Sequence, residues 1–146
     1  MSNTITTQYD PGNVVLNING IDISGFAEGT FIEVDRYVDA WSMAVGSDGE
    51  VTRVKSQNVS GYFKFTLQQG SPSNDVVSAL ATQDEQSSNA VVPVLMTDKN
   101  GNTIAKGAKS WVKKKAKSSF ANTNENREWT LDTGNLDYTV GGENQI

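Results

Sequence analysis

Glu33 and Asp35 are the carboxylate pair best spaced for chemistry. They lie two apart in the alternating segment Thr30–Tyr37 (TFIEVDRY), so on a strand they share one face, as acid–base work requires. The sequence supplies nothing to complete such a site. It has no His and no Cys, which excludes Ser-His-Asp and Cys-His triads, thiolate or imidazole metal centres, and disulfides. Carboxylate, Lys, Tyr and hydroxyl chemistry remain. With no cleft implied, Glu33 and Asp35 read as a solvent-facing strand surface, and Glu125, Glu128 and Asp132 are equally unspecific. Asp98-Lys99-Asn100-Gly101-Asn102 begins like a calcium loop but lacks the later ligands and the closing Glu, and reads as a hairpin turn. Asn58-Val59-Ser60 fits the glycosylation pattern, but the start MSNTITTQYD has no basic and apolar leader to accompany it. No catalytic residue, metal or cofactor is expected.

Two clusters point to partners instead. Lys113, Lys114, Lys115 and Lys117 form the densest run of charge. A nucleic-acid patch is one reading, and a solvated strand or a subunit contact paired with carboxylates is the other. The net charge of −5 and the lack of interleaved aromatics favour the second. Trp41, Met43 and Val45 alternate within the polar stretch Val38–Gly49. Such residues need cover, either from their own domain or from a partner.

The elements that must position these residues are mostly strands. Val and Ile together outnumber Leu 22 to 6, which suits a pleated, half-buried surface. The 146 residues fit one domain, residues 1–146, with a polar N-terminal arm (1–13) and a polar C-terminal tail (141–146). The apolar share of 36% gives a thin core, which makes self-association attractive. No apolar run is long enough to span a membrane.

Val14–Ile18, Asn19-Gly20 and Ile21–Ser24 form the clearest hairpin, with Ile18 opposite Ile21 and Leu16 opposite Ile23. In Thr30–Tyr37, Ile32, Val34 and Arg36 oppose Glu33 and Asp35. Val38–Gly49 reads as a long connection. Glu50–Ser56 and Val59–Gln68 read as strands, the second with Phe63, Phe65 and Leu67 inward and Tyr62, Lys64, Thr66 and Gln68 outward. Ser73 or Asn74 is the expected cap of a single helix running to about Asp84, with a stripe of Val76, Val77, Leu80 and Ala81. Val91–Thr97 contains Pro93 and reads as an edge or end strand. Thr103–Ser119 reads as one or two strands, followed by Arg127–Thr133 and Leu136–Val140. The expectation is a mainly β fold, α+β at most: a β-sandwich or barrel of about eight to ten strands with one flanking helix.

The succession YDPGNVVLNINGIDISGFAEGTFIEVDR, GSDGEVTR, SGYFKFTL, QGSPSND and the late Glu128-Trp129 resembles the small tail tube proteins of contractile-tailed bacteriophages over nearly the whole chain. The resemblance implies a virion structural protein, assembled in the host cytoplasm. Its hexameric rings stack into a hollow tube inside a sheath, with sheath, baseplate and tail-terminator partners and DNA passing through without specific binding. Under it, Trp41, Met43 and Val45 become candidate inter-ring contacts. Glu33, Asp35, Lys64, Thr66 and Gln68 become candidate lumen-facing residues. Lys113, Lys114, Lys115 and Lys117 are placed at a subunit contact or on the outer surface. The tube of a bacteriocin-like or type VI secretion particle is an alternative, and a monomeric β-sandwich binding module is the rival from another class.

Overall fold

Residues 4–145 are described by a computed structural model. A short 3-10 turn, Pro11–Asn13, leads into β1 (Val14–Ile18) and β2 (Ile21–Asp22). Next come β3 (Ile32–Arg36), β4 (Trp41–Val45), β5 (Val51–Lys55) and β6 (Gly61–Leu67). The helix α1 (Ser73–Ser87) precedes β7 (Val92–Asp98), β8 (Ile104–Lys114), β9 (Arg127–Thr133) and β10 (Asp137–Thr139). The main antiparallel sheet runs β2-β1-β7-β8-β9-β6-β3, with β10 continuing along β8 beyond β9, while β4 and β5, among the described residues, pair only with each other.

Local chemistry explains most of this order. Asn19 and Gly20 both take positive φ (53° and 84°), the geometry a two-residue turn needs to follow strand twist. The expected pairing results: Ile18 faces Ile21, and the Ile23 amide donates to the Leu16 carbonyl at 2.9 Å. Leu16, Ile18 and Ile23 are buried, whereas Ile21, at the turn, stays 46% exposed. β6 alternates strictly, burying Phe63, Phe65 and Leu67. These residues share one core with Trp129 and Leu131 of β9, Val94 and Met96 of β7, and Val77 and Ala81 of α1.

Several elements depart from the sequence reading. Val38–Gly49 is not a loop: its Trp41–Val45 stretch is a strand, joined to β5 through Gly46–Glu50. β7 is central rather than at an edge, lying between β1 and β8. Pro93 is tolerated there because the β7–β8 register shifts between Val92 and Val94, so its missing N–H falls at an irregularity in the ladder. The stretch 103–119, read as one strand or two, holds one, β8. The helix runs one turn past Asp84 and ends at Ser88 in the left-handed conformation (φ 55°). Neither Ser73 nor Asn74 caps it: Pro72 holds that position, with no side-chain cap bond. Asn74 instead donates to the Gln68 carbonyl (2.9 Å) and accepts from the Trp129 indole N–H (2.9 Å), tying the helix start to β9. Of the apolar stripe, Val77 and Ala81 are buried and Leu80 is half-buried.

The sheet curls until its two ends meet. Past β2, Phe26 bridges Leu67, the Ala27 amide donates to the Thr66 carbonyl (3.0 Å) and the Gln68 amide to the Gly25 carbonyl (2.8 Å). That side of β6 is therefore shared: Gly61–Phe65 pair with β3, and Thr66–Gln68 bond the returning chain. Gly25 makes the corner at φ 75°, with the Ser71 hydroxyl 2.5 Å from where a Cβ would stand. That hydroxyl donates to the Ser24 carbonyl at 2.6 Å and cannot retreat without losing the bond. Gly25→Ala is accordingly expected to destabilise the domain by about 1–3 kcal/mol, read as a lower urea midpoint at unchanged slope.

Candidate functional site

The β4–β5 hairpin projects from the sheet with all ten strand residues exposed. Its register (Trp41↔Lys55, Met43↔Arg53, Val45↔Val51) gathers Trp41, Met43, Val45, Val51, Arg53 and Lys55 on one face, and Ser42, Ala44, Thr52 and Val54 on the other. Trp41 is 47% exposed, Met43 69% and Val45 60%. The Arg53 guanidinium lies 3.8 Å from the Trp41 ring centre, holding both on the first face. Val38–Gly49 thus owes its apolar alternation to a strand that its own domain leaves uncovered.

The second surface is the outward side of β3, β6, β9 and β8. Glu33 and Asp35 are exposed there, opposite half-buried Ile32 and Val34. Glu33 stands across from Lys64, and Lys64 across from Thr130. Lys64 also pairs with Glu128 (3.4 Å), both side chains solvated, so the pair adds little stability. Thr66 is half-buried. Gln68 is exposed and donates to the Phe26 carbonyl at 3.2 Å. These five residues face away from the core, as alternation requires.

The lysine run divides. Lys113 sits 5.6 Å from the Tyr37 ring centre in a small concavity with Tyr62, Lys64 and Thr130. It therefore belongs to the same face as Lys64. Lys115 reaches the opposite way, to Glu85 of α1 (3.5 Å, both exposed). Lys113, Lys114, Lys115 and Lys117 all border one shallow cleft with Glu125 and Glu128, so carboxylates face the run within the chain.

Two features escaped the sequence reading. Tyr37, just past β3, stacks near Tyr62 (5.2 Å between ring centres) and donates its hydroxyl to Asp132. Burial, then that bond, then the Asp132 charge push its pKa up to about 12. Asn100, in the β7–β8 turn, is buried and holds the N-terminal arm. Its amide donates to the Asp10 carbonyl (2.8 Å) and to Asp98 (2.9 Å), and its carbonyl accepts from the Asp10 amide (2.8 Å). The C-terminal tail joins this knot through Gly101↔Glu143 and Thr7↔Gln145. Burial alone would raise the Asp98 carboxyl, but the Asn100 hydrogen bonds and Glu143 hold it below its ordinary value. Partners some ninety residues apart leave no local pattern to detect.

A cleft of about 620 Å³ opens beside β3, where closure is incomplete. Ile32 and Val34 line it with Val14 and Met96, and Glu33, Asp35 and Glu143 border it. Among the described residues, no three His, Cys, Asp or Glu side chains gather as a metal site, and no helix is long and apolar enough to cross a membrane.

A curled antiparallel sheet with one helix against its core is also the fold of tube and terminator components of contractile particles. The anti-feeding prophage tube-terminating cap superposes with TM-score 0.58 at 4% identity, over 96% of each chain. The sheath/tube terminator of the extracellular contractile injection system PVC gives 0.57 at 10% identity, covering 94% of this chain and 100% of that one. A chain of the PVC sheath-tube complex gives 0.57 at 8%, covering 95% and 93%. At the level of sequence, the chain belongs to the family described as Bacteriophage PhiTE tail tube protein, which it matches over residues 5–141. It is also 28% identical to "Structural protein ORF10" of Pseudomonas phage KPP10, over 97% of this chain and 86% of that protein. The family is structural rather than enzymatic and places the chain in a phage tail.

Tyr37 gives a check on the outward face. Its raised pKa keeps the folded phenol protonated where the unfolded one ionises. Its contribution to stability is therefore present below about pH 10 and lost as pH rises towards about 12. Absorbance titration should show Tyr37 and Tyr138 both ionising late, Tyr37 near pH 12, and Asp132→Asn should move the Tyr37 step earlier.

Proposed function

We propose that this protein builds the inner tube of a contractile phage tail: identical subunits close into rings, six to a ring in keeping with the family resemblance, and the rings stack into a hollow conduit for DNA. The observation that carries this reading is the β4–β5 hairpin, a two-stranded sheet with an apolar face and no layer over it in its own subunit. A hairpin alone is marginally stable in water, so packing against another copy would supply what its own domain does not. Trp41, Met43 and Val45 are then the contacts between subunits of adjacent rings.

The surface holding Lys64, Thr66 and Gln68, with Glu33 and Asp35 at its β3 edge beside the cleft, suits a lumen wall. Its charges alternate in sign from strand to strand, so it offers phosphate no continuous basic track. Lys113 belongs to this wall by position. Lys114 stands across from Thr130 on the same surface, while Lys115, beside α1, and Lys117 suit an outward, sheath-facing or subunit contact. Sheath, baseplate and terminator proteins are the implied partners, the virion tail the location, and the host cytoplasm the place of assembly. Two of the similar structures are terminators, which supports a second reading: a ring that caps a tube instead of extending it.

Negative-stain microscopy over a concentration series separates these outcomes. Open-ended tubes, without metal or nucleotide, are the expected product, since repeated heterologous contacts propagate. Single rings at every concentration would favour the cap. A persistent monomer in low and moderate salt would favour a binding module. Trp41→Ser with Met43→Ser should leave the monomer folded and shorten or abolish the tubes.

A further inference from the structure

The hairpin needs a surface to cover it, and the cleft beside β3 needs an occupant. β3 ends the sheet, and among the described residues its outer side pairs with no strand. Ile32 and Val34 are only half-buried, because the sheet closes through residues 25–27 on β6 and leaves β3 outside the seam. The floor of the opening is thus apolar, with Val14 and Met96, and its rim is acidic, with Glu33, Asp35 and Glu143. The hairpin's first face is the complement: apolar Trp41, Met43, Val45 and Val51, then basic Arg53 and Lys55.

Resting on the tube reading above, we propose that the β4–β5 hairpin of one copy seats in the cleft beside β3 of a second copy, its Trp41–Met43–Val45 face over Ile32 and Val34 and its Arg53 and Lys55 against the Glu33–Asp35–Glu143 rim. The two patches lie at different places on one chain, so the contact is heterologous and passes from copy to copy. Opposite charge at the rim sets register and steers encounter, and the apolar centre supplies the affinity. The unpaired side of β3 also gains an occupant, removing an exposed strand edge.

The chain has no Cys, so engineered thiols report without background. Met43→Cys with Val34→Cys in one chain, assembled and mildly oxidised, should give a ladder of covalent multimers on a non-reducing gel. Thr52→Cys with Val34→Cys puts the thiol on the opposite hairpin face and should give none. As a second readout, Arg53→Asp should raise the concentration needed for assembly about fivefold, and Asp35→Arg in the same chain should bring it back. Tubes that form normally while the Met43 pair gives no ladder, or no more than the Thr52 pair, would overturn this seating and leave the tube reading standing. Normal assembly by the Arg53→Asp chain would also overturn it. A wild-type chain that never assembles would remove the reading and the seating together.

Discussion

The structure depends on how β6 divides one of its sides. Gly61–Phe65 pair with β3, while Thr66–Gln68 bond the chain that returns past β2. This divided ladder closes the sheet around Phe63, Phe65 and Leu67 and gives a chain with a small apolar share a sealed core. It also leaves β3 beyond the seam with one open side. Closure and incompleteness come from the same few hydrogen bonds. A sheet closed on every side would have no cleft, and a fully open one would expose its core.

The hairpin follows from the same geometry. β3 ends at Arg36 and β6 begins at Gly61, and these residues face each other directly in the ladder. The chain between them leaves and returns at one point, so it can extend away from the body without straining the sheet. The Arg36 guanidinium bonds the Leu136 carbonyl (2.8 Å) and anchors the base of this excursion to the chain before β10. What projects is a surface whose Trp41, Met43 and Arg53 are residue types of a contact region.

Much of this was legible in the sequence. Asn19-Gly20 set the first hairpin's register, and strict alternation assigned both faces of β3 and β6, because turn chemistry and period are local. The order of strand and turn residues also pointed to the family. Legibility failed where tertiary context decides. Pro93 signals an edge strand, yet a register shift on β8 lets it sit in the middle of the sheet. The stretch 38–49 reads as a loop because Gly46 and Asp48-Gly49 dominate it, and the pairing of Trp41–Val45 with Val51–Lys55 shows only in the fold. The knot at Asn100 and the bond from Tyr37 to Asp132 join residues distant in sequence. The lysine run reads as one cluster because sequence does not show β8 ending at Lys114, after which Lys115 pairs with Glu85 of α1 while Lys113 stays beside Tyr37.

The central claim is that another copy completes the β4–β5 hairpin. Hydrogen exchange of its backbone amides, measured on dilute monomer and on assembled protein, tests this directly. In the monomer these amides should exchange far faster than those of β6 and β9, because a lone exposed hairpin opens readily. In the assembly they should slow towards the core strands. Hairpin amides that exchange equally fast in both states, in a sample shown to contain tubes, would contradict the account.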